Sequence, residues 1–255
     1  MRTAGIDIGS ITVKAAILED SKVLGTKVGF TGYNASAAGR KVYRDLLEEL
    51  GLDDSSIGKI ISTGYGRNSV DFAHKAMTEI ICHGRGAYFL DPAVRTVIDV
   101  GGQDSKALVM DEGGRVTDFV MNDKCAAGTG RFLEVMARAL EVDLEEFGPL
   151  SLSSDKPARI SSICTVFAES EIVSLISTGE ARQNIVAGIH ESVASRVHAM
   201  AQRLPLKPPF MMTGGVAKNV GLVHELEKRF GSAIEVTPYA QVNGAIGAAV
   251  LAMGL

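Results

Sequence analysis

Residues 6–15 read IDIGSITVKA, and residues 98–107 read IDVGGQDSKA. The second segment lies 92 residues after the first and keeps the isoleucine, aspartate, glycine, lysine and alanine at matching positions. Each segment joins two apolar runs through a short Asp-x-Gly turn, which predicts a β-hairpin. Repetition of this unit predicts an α/β protein built of two related halves, residues 1–96 and residues 97–255.

The turn of each hairpin carries residue types that suit phosphate binding. Glycine lets backbone N–H groups approach phosphate oxygens, and Ser10, Thr12 and Ser105 add hydroxyl donors. The carboxylates of Asp7 and Asp99 can hold Mg²⁺ through water. For either copy alone, an ordinary hairpin turn with an exposed aspartate is an equal alternative. The occurrence of two copies favours a binding site in which both turns contact one nucleotide.

A third glycine cluster, MTGGVAKN at residues 212–219, follows an apolar strand and precedes an amphipathic helix. A Gly-Gly turn into a helix suits a flat adenosine lying on the backbone, and a plain strand-to-helix turn is the alternative. The chain has no GxxxxGK[ST] and no GxGxxG after a strand, which argues against P-loop and dinucleotide-binding folds. His190 and His224, each followed by glutamate, are interpreted as surface residues of helices.

The composition narrows the function further. The chain has 255 residues, a formal net charge of −4 and a sequence pI near 5.8, which argues against a nucleic-acid partner. The longest apolar stretch is too short to span a bilayer, and the N-terminus lacks a signal-peptide pattern. We therefore expect a cytoplasmic protein without a membrane partner. Three cysteines without a CxxC do not form a disulfide framework.

Two of the three cysteines precede helix-like segments. Cys125 comes before a run of apolar residues at helical spacing, and Cys164 comes before a second such run. Two thiols are half of the four thiolates that an iron–sulfur cluster needs, and a two-fold dimer would supply the rest. Free cysteines that act only as small buried apolar residues are the alternative. Cys82, in a helix-like segment, is interpreted as a packing residue.

The three glycine motifs in this order resemble the actin, sugar-kinase and heat-shock-chaperone ATPase superfamily. Four longer motifs narrow the resemblance: TGYGRNS at 63–69, DKCAAGTGRFLE at 123–134, ICTVFAESE at 163–171 and AGIHESVASRV at 187–197. They resemble the activator components of 2-hydroxyacyl-CoA dehydratases, a family that includes ATPase subunits of benzoyl-CoA reductases. The resemblance implies two ribonuclease-H-like halves, with ATP and Mg²⁺ in the cleft between them.

The resemblance also implies roles for individual residues. In this interpretation Asp7 and Asp99 organise Mg²⁺ and the attacking water, and Gln103 and Asp104 sense the γ-phosphate. The phosphate contacts are expected from Gly9, Ser10, Ile11, Thr12, Gly101 and Gly102. Adenosine is expected to border Gly214, Gly215, Lys218 and Asn219. Lys14 and Lys106 are expected to be solvated, and residues 128–130 to transmit the nucleotide state to the cluster.

The implied activity is an ATP-driven one-electron transfer. One 4Fe–4S cluster per homodimer, held by Cys125 and Cys164 of each protomer, would receive an electron from ferredoxin or flavodoxin. The electron would pass to an iron–sulfur dehydratase. An activase of a benzoyl-CoA reductase or of a double-cubane cluster protein remains an alternative. A small-molecule kinase and a filament-forming ATPase of the same superfamily are further alternatives.

Overall fold

The computed structural model describes residues 1–161 and 164–255, so Ile163, the first residue of the ICTVFAESE motif, lies outside the described residues. Contacts between residues divide the chain into two units. Unit 1 comprises Met1–Val97, Leu108–Asp118 and Thr237–Leu255, and unit 2 comprises Ile98–Ala107 and Phe119–Val236. The first break falls beside the expected boundary, whereas the C-terminal Thr237–Leu255 groups with the N-terminal segment.

Unit 1 is organised around a five-stranded sheet of order β3-β2-β1-β4-β5. Its strands are β1 (Arg2–Ile8), β2 (Thr12–Glu19), β3 (Lys22–Phe30), β4 (Lys59–Thr63) and β5 (Lys75–Ala76). Its helices are α1 (Ala35–Leu50), α2 (Glu79–Leu90) and α8 (Asn243–Ala252). The strands β1, β2 and β3 form an antiparallel meander, and β4 joins β1 in parallel.

Helix α8 packs directly on β1 and on α2, and small residues make this possible. A Cβ atom added at Gly5 of β1 would lie 1.9 Å from the Ala245 carbonyl oxygen of α8. A Cβ atom added at Gly247 of α8 would lie 1.8 Å from the Cys82 carbonyl oxygen of α2. The C-terminal helix therefore fits into unit 1 only because glycine stands at these two contacts.

The second five-stranded sheet has the order β10-β9-β6-β7-β8. Its strands are β6 (Thr96–Val100), β7 (Ser105–Met110), β8 (Val116–Asn122), β9 (Phe210–Thr213) and β10 (Ile234–Glu235). Strands β6, β7 and β8 contribute residues to both units. The helices of unit 2 are α3 (Gly130–Ala139), α4 (Leu144–Leu152), α5 (Thr165–Ser177), α6 (Arg182–Ala201) and α7 (Val220–Phe230).

Both predicted hairpins are confirmed. In the first, β1 and β2 pair with Asp7 opposite Lys14, and in the second, β6 and β7 are neighbours in their sheet.

None of the helices within the described ranges combines the length and the hydropathy needed to cross a bilayer.

Candidate nucleotide site and cysteine loops

The first hairpin turn is held in shape by main-chain and threonine hydrogen bonds. The Gly9 N–H donates to the Thr12 carbonyl at 3.0 Å. The Thr31 hydroxyl donates to the Gly9 carbonyl at 2.7 Å, and the Thr31 N–H donates to the Ile11 carbonyl at 2.9 Å. Ser10 is exposed at the tip. The turn is therefore a braced loop whose tip remains accessible.

Asp7 is the second-last residue of β1, just before this turn, and is 4% exposed. Its Oδ2 atom lies 3.3 Å from Nζ of Lys14, the residue opposite it in the hairpin. Gly64 of the TGYGRNS motif has φ +85°, and a Cβ atom there would lie 2.5 Å from Oδ1 of Asp7. Glycine at this position therefore allows the backbone after β4 to close against the carboxylate.

The second hairpin turn repeats the geometry of the first. The Gly101 N–H donates to the Asp104 carbonyl at 2.9 Å, which is the hydrogen bond that Gly9 makes to Thr12 in the first turn. Asp99 is 2% exposed and accepts a hydrogen bond from the Thr213 hydroxyl at 2.8 Å. Gln103 is exposed at the tip. The sequence repeat thus extends to main-chain hydrogen bonding.

The expectation that Lys14 and Lys106 are solvated is wrong. Lys106 is 1% exposed, and its Nζ lies 3.2 Å from Asp99 and 2.7 Å from Asp104. Lys14 is likewise mostly buried beside Asp7. A nearby cation stabilises a buried carboxylate, and a lysine on the second strand of each hairpin supplies one. The match of Lys14 with Lys106 in the repeat was the sequence signal for these pairs.

The predicted adenosine motif forms a tight turn after β9. Gly214 has φ +90°, and a Cβ atom there would lie 2.2 Å from the Val100 carbonyl oxygen, so only glycine fits. Gly215 and Lys218 bound a 3-10 turn and are both exposed. The predicted order of strand, turn and helix is confirmed, and α7 follows directly.

Asn219 is engaged within the protein through both ends of its side-chain amide. Oδ1 accepts a hydrogen bond from the Leu222 N–H at 3.0 Å and caps α7. Nδ2 lies 3.0 Å from Nε2 of His190, which therefore accepts as a neutral ring. The expectation that His190 lies on a helix surface is wrong, because it is fully buried and packs edge-on against Phe147.

Burial lowers the pKa of His190 from 6.5 to about 3. Below pH 6.5 the unfolded chain therefore binds a proton at His190, whereas the folded protein does not. The contribution of the neutral ring to the free energy of unfolding is complete above pH 6.5 and decreases as the pH falls. Between pH 6.5 and 4.5 we expect the wild type to lose about 2 kcal/mol more free energy of unfolding than His190→Gln. Urea denaturation at stepped pH measures this difference.

His224→Gln serves as the control for the His190 prediction, because His224 is exposed on α7. Its stability should fall with acid as steeply as that of the wild type. A His190→Gln variant with the wild-type pH dependence would show that His190 is not held neutral by burial.

The start of α3 is hydrogen-bonded to the second hairpin turn. The Gly130 N–H donates to the Gly101 carbonyl at 2.9 Å, and the Arg131 N–H donates to the Gly102 carbonyl at 2.7 Å. Gly128, just before the helix, has φ +88°. The loop that follows Cys125 is therefore attached through main-chain atoms to the turn predicted to contact phosphate.

Cys125 and Cys164 are free and exposed thiols of unit 2. Cys164 is the N-cap residue of α5, which confirms the predicted helix after it. Cys125 lies in a loop, five residues before α3 begins, and its main-chain polar groups are hydrogen-bonded to the Asn122 side chain. The Asn122 amide donates to the Cys125 carbonyl at 2.8 Å and accepts from the Cys125 N–H at 3.2 Å.

Cys82 differs from the other two thiols. It is fully buried within α2, and burial raises its pKa to about 12. Its interpretation as a packing residue is confirmed. In the part of the chain that the structure describes, no three His, Cys, Asp or Glu side chains come together as a metal site.

The chain matches the model of the BadF/BadG/BcrA/BcrD ATPase family over residues 4–252. It belongs to this ATPase family. The activator of lactoyl-CoA dehydratase from Anaerotignum propionicum is 47% identical, over 99% of this chain and 97% of that protein. Component A of the (R)-2-hydroxyglutaryl-CoA dehydratase of Acidaminococcus fermentans has a crystal structure that is 45% identical. It superimposes with a TM-score of 0.96 over 100% of this chain and 98% of that one.

A second solved relative from this ATPase family carries a nucleotide analogue. The activator of the 2-hydroxyisocaproyl-CoA dehydratase from Clostridium difficile, with bound ADPNP, is 43% identical. Its TM-score is 0.95 over 100% of this chain and 95% of that one. A glucokinase of the ROK family from Streptomyces griseus shares the fold at a TM-score of 0.63, with 13% identity over the whole of both chains. The predicted α/β fold of the actin and sugar-kinase superfamily is confirmed.

Proposed function

We propose that this ATPase is a one-electron activator of an iron–sulfur 2-hydroxyacyl-CoA dehydratase. In this proposal it acts as a homodimer bridged by one 4Fe–4S cluster. The observation that carries the proposal is the pair of exposed, free thiols, Cys125 and Cys164, on two loops of unit 2. The names of the close relatives, which are dehydratase activators, point to the same activity.

The thiols present fit such a cluster by the chemistry of their donors. Thiolate sulfur is the ligand that iron–sulfur clusters use, and four thiolates complete a 4Fe–4S cluster. One chain supplies Cys125 and Cys164, so the proposal requires the same pair from a second copy. When bound, the cluster would accept and release one electron at a low potential.

The surface of α5 supports a homodimer. This helix begins directly after Cys164 and buries only Ala168 and Ile172 among its described side chains. Its exposed apolar side chains are Val166, Phe167, Val173 and Ile176. An apolar surface that starts at a proposed ligand is suited to contact a second copy across a two-fold axis, which would bring both Cys164 residues together.

The two hairpin turns are proposed to bind Mg-ATP. Asp7 and Asp99 would orient water or Mg²⁺, and the backbone N–H groups of the turns would contact phosphate oxygens. Lys14 and Lys106 would hold both carboxylates in position. The exposed Gly215 and Lys218 would border the adenosine, whereas Asn219 would hold the start of α7.

Nucleotide state is proposed to reach the cysteine loops through the start of α3. The Gly101 and Gly102 carbonyls accept hydrogen bonds from Gly130 and Arg131, so a shift of the turn would move this helix end. The positive φ of Gly128 lets the chain bend between Cys125 and that end. Residues 128–130 would thus connect ATP hydrolysis to the redox centre.

The proposed donor of the electron is ferredoxin or flavodoxin, and the acceptor is the dehydratase. A free-energy difference of about 1.4 kcal/mol corresponds to about 60 mV for one electron. A nucleotide that favours one conformation by several kcal/mol can therefore shift a one-electron step by a few hundred millivolts.

Anaerobic purification followed by iron and sulfide assay tests the proposal. We expect a brown dimer with four irons and four sulfides per two chains, and Cys125→Ser should lose nearly all of this iron. Cys82→Ala is the matched control and should keep it, since Cys82 lies buried in α2. Dimer formation is checked by sedimentation. A colourless, iron-free wild type that still activates a dehydratase would contradict the proposal.

A further inference from the structure

Unit 2 contains a cavity of about 450 Å³ that none of the roles above uses. One wall is the chain segment 157–161, the second is a face of α6, and the third includes Arg229 of α7. The residues that matter for its chemistry are Arg159, Glu191, Ser192, Ser195, Arg196 and Arg229.

The wall formed by residues 157–161 is fixed against α6. The Ala158 N–H donates to the Asn184 carbonyl at 2.8 Å. A Cβ atom added at Gly188 would lie 1.9 Å from the Ala158 carbonyl oxygen, so glycine permits this close approach. Main-chain contacts therefore fix this wall, and its position does not depend on side-chain conformations alone.

Among the described residues that line this cavity, three are arginines and one, Glu191, is acidic. Within residues 1–161 and 164–255, none of Arg159, Arg196 and Arg229 has an acidic side chain at ion-pair distance. Arg229 donates through Nη2 to the Glu191 carbonyl oxygen at 3.1 Å. The Nε atoms of Arg196 and Arg229 are buried without a hydrogen-bond partner. A guanidinium has five N–H donors, so the nitrogens other than Nε are the ones from which an anion in the cavity would accept hydrogen bonds.

Serine residues complete the polar lining of the cavity. Ser192 and Ser195 add hydroxyl groups on the same face of α6. The Ser161 hydroxyl is already engaged, because it donates to Glu171 at 2.9 Å.

We propose that this cavity binds a phosphate-bearing small molecule, with Arg159, Arg196 and Arg229 as the ligands of its phosphoryl oxygens. A planar carboxylate is satisfied by one guanidinium fork, whereas a tetrahedral phosphoryl group accepts hydrogen bonds from several directions. The cavity is open to solvent and larger than inorganic phosphate, so it has room for an organic portion or a second phosphoryl group on the ligand. This site shares no residue with the two hairpin turns.

NMR titration with inorganic phosphate tests the site directly. The protein is saturated with Mg-ADPNP, so that the nucleotide site is filled, and ionic strength is held constant with chloride. We expect the side-chain Nε–Hε signals of Arg196 and Arg229 to shift and saturate at millimolar phosphate. The double variant Arg159→Gln/Arg229→Gln should weaken binding by about tenfold or more.

Two controls accompany the titration. Arg203→Gln, at an exposed position that does not line the cavity, should bind phosphate as the wild type does. Arg159→Gln alone, which changes an exposed side chain, should fold normally and lose part of the affinity. The proposal is overturned if no saturable shift occurs or if the double variant keeps the wild-type affinity. Tighter binding of malonate than of phosphate would also overturn it, in favour of a carboxylate ligand.

Discussion

Lys106→Met should lower the free energy of unfolding by about 3–5 kcal/mol and abolish ATP hydrolysis. The Lys106 ammonium lies within 3.2 Å of Asp99 and 2.7 Å of Asp104, and it is 1% exposed. Its removal leaves the buried Asp99 carboxylate without this cation in a region that water does not reach. Urea denaturation measures the loss of stability, and phosphate release measures the loss of activity.

Two further variants distinguish the cost of an unpaired buried carboxylate from nonspecific destabilisation of the fold. Asp99→Asn/Lys106→Met removes the carboxylate together with the cation, so it should regain much of the stability while ATP hydrolysis stays absent. Lys22→Met changes an exposed lysine and should alter neither property. An unchanged urea midpoint in Lys106→Met would refute the buried ion pair.

Gly5→Ala should destabilise the protein by about 3 kcal/mol, although it adds a single methyl group. The new Cβ would lie 1.9 Å from the Ala245 carbonyl oxygen and 2.6 Å from the Ala249 nitrogen. Both atoms belong to the backbone of α8, so no side-chain rotation relieves the clash. Either β1 or the whole C-terminal helix must move, and the packing on both sides is lost.

Gly58→Ala is the matched control for Gly5→Ala. At Gly58 the nearest atom to an added Cβ is the Arg2 carbonyl oxygen at 3.4 Å, an ordinary contact. We therefore expect a change within about 0.5 kcal/mol. Unfolding in urea, followed by circular dichroism, compares the two variants. Equal midpoints would mean that α8 does not pack on β1 as described.

The sequence predicted the parts of the fold that local patterns determine. The repeat at residues 6–15 and 98–107 located both hairpins, because apolar runs and Asp-x-Gly turns are read over a few residues. Helices after Cys125 and Cys164 followed from apolar spacing. The grouping of α8 with unit 1 was not predicted, since it depends on contacts between Gly5, Gly247 and residues far away in the chain.

The candidate site was predicted less completely than the fold. Asp7 and Asp99 were singled out, but their lysine partners were expected in solvent, because lysine is usually exposed. His190 was interpreted as a surface residue of an amphipathic helix. Burial of a charged or polar residue is decided by a tertiary partner, here Asp99 for Lys106 and Asn219 for His190. The composition and the spacing of residues in the sequence do not identify such partners.

The hydrogen bonds that Gly130 and Arg131 donate to Gly101 and Gly102 use main-chain atoms alone. A scan that replaces side chains one by one would therefore leave this connection in place at most positions. Chemistry that alters the peptide itself, such as an amide-to-ester replacement at Arg131, removes one donor and keeps every side chain. The proposed coupling route can consequently stay constant while the surrounding side chains change.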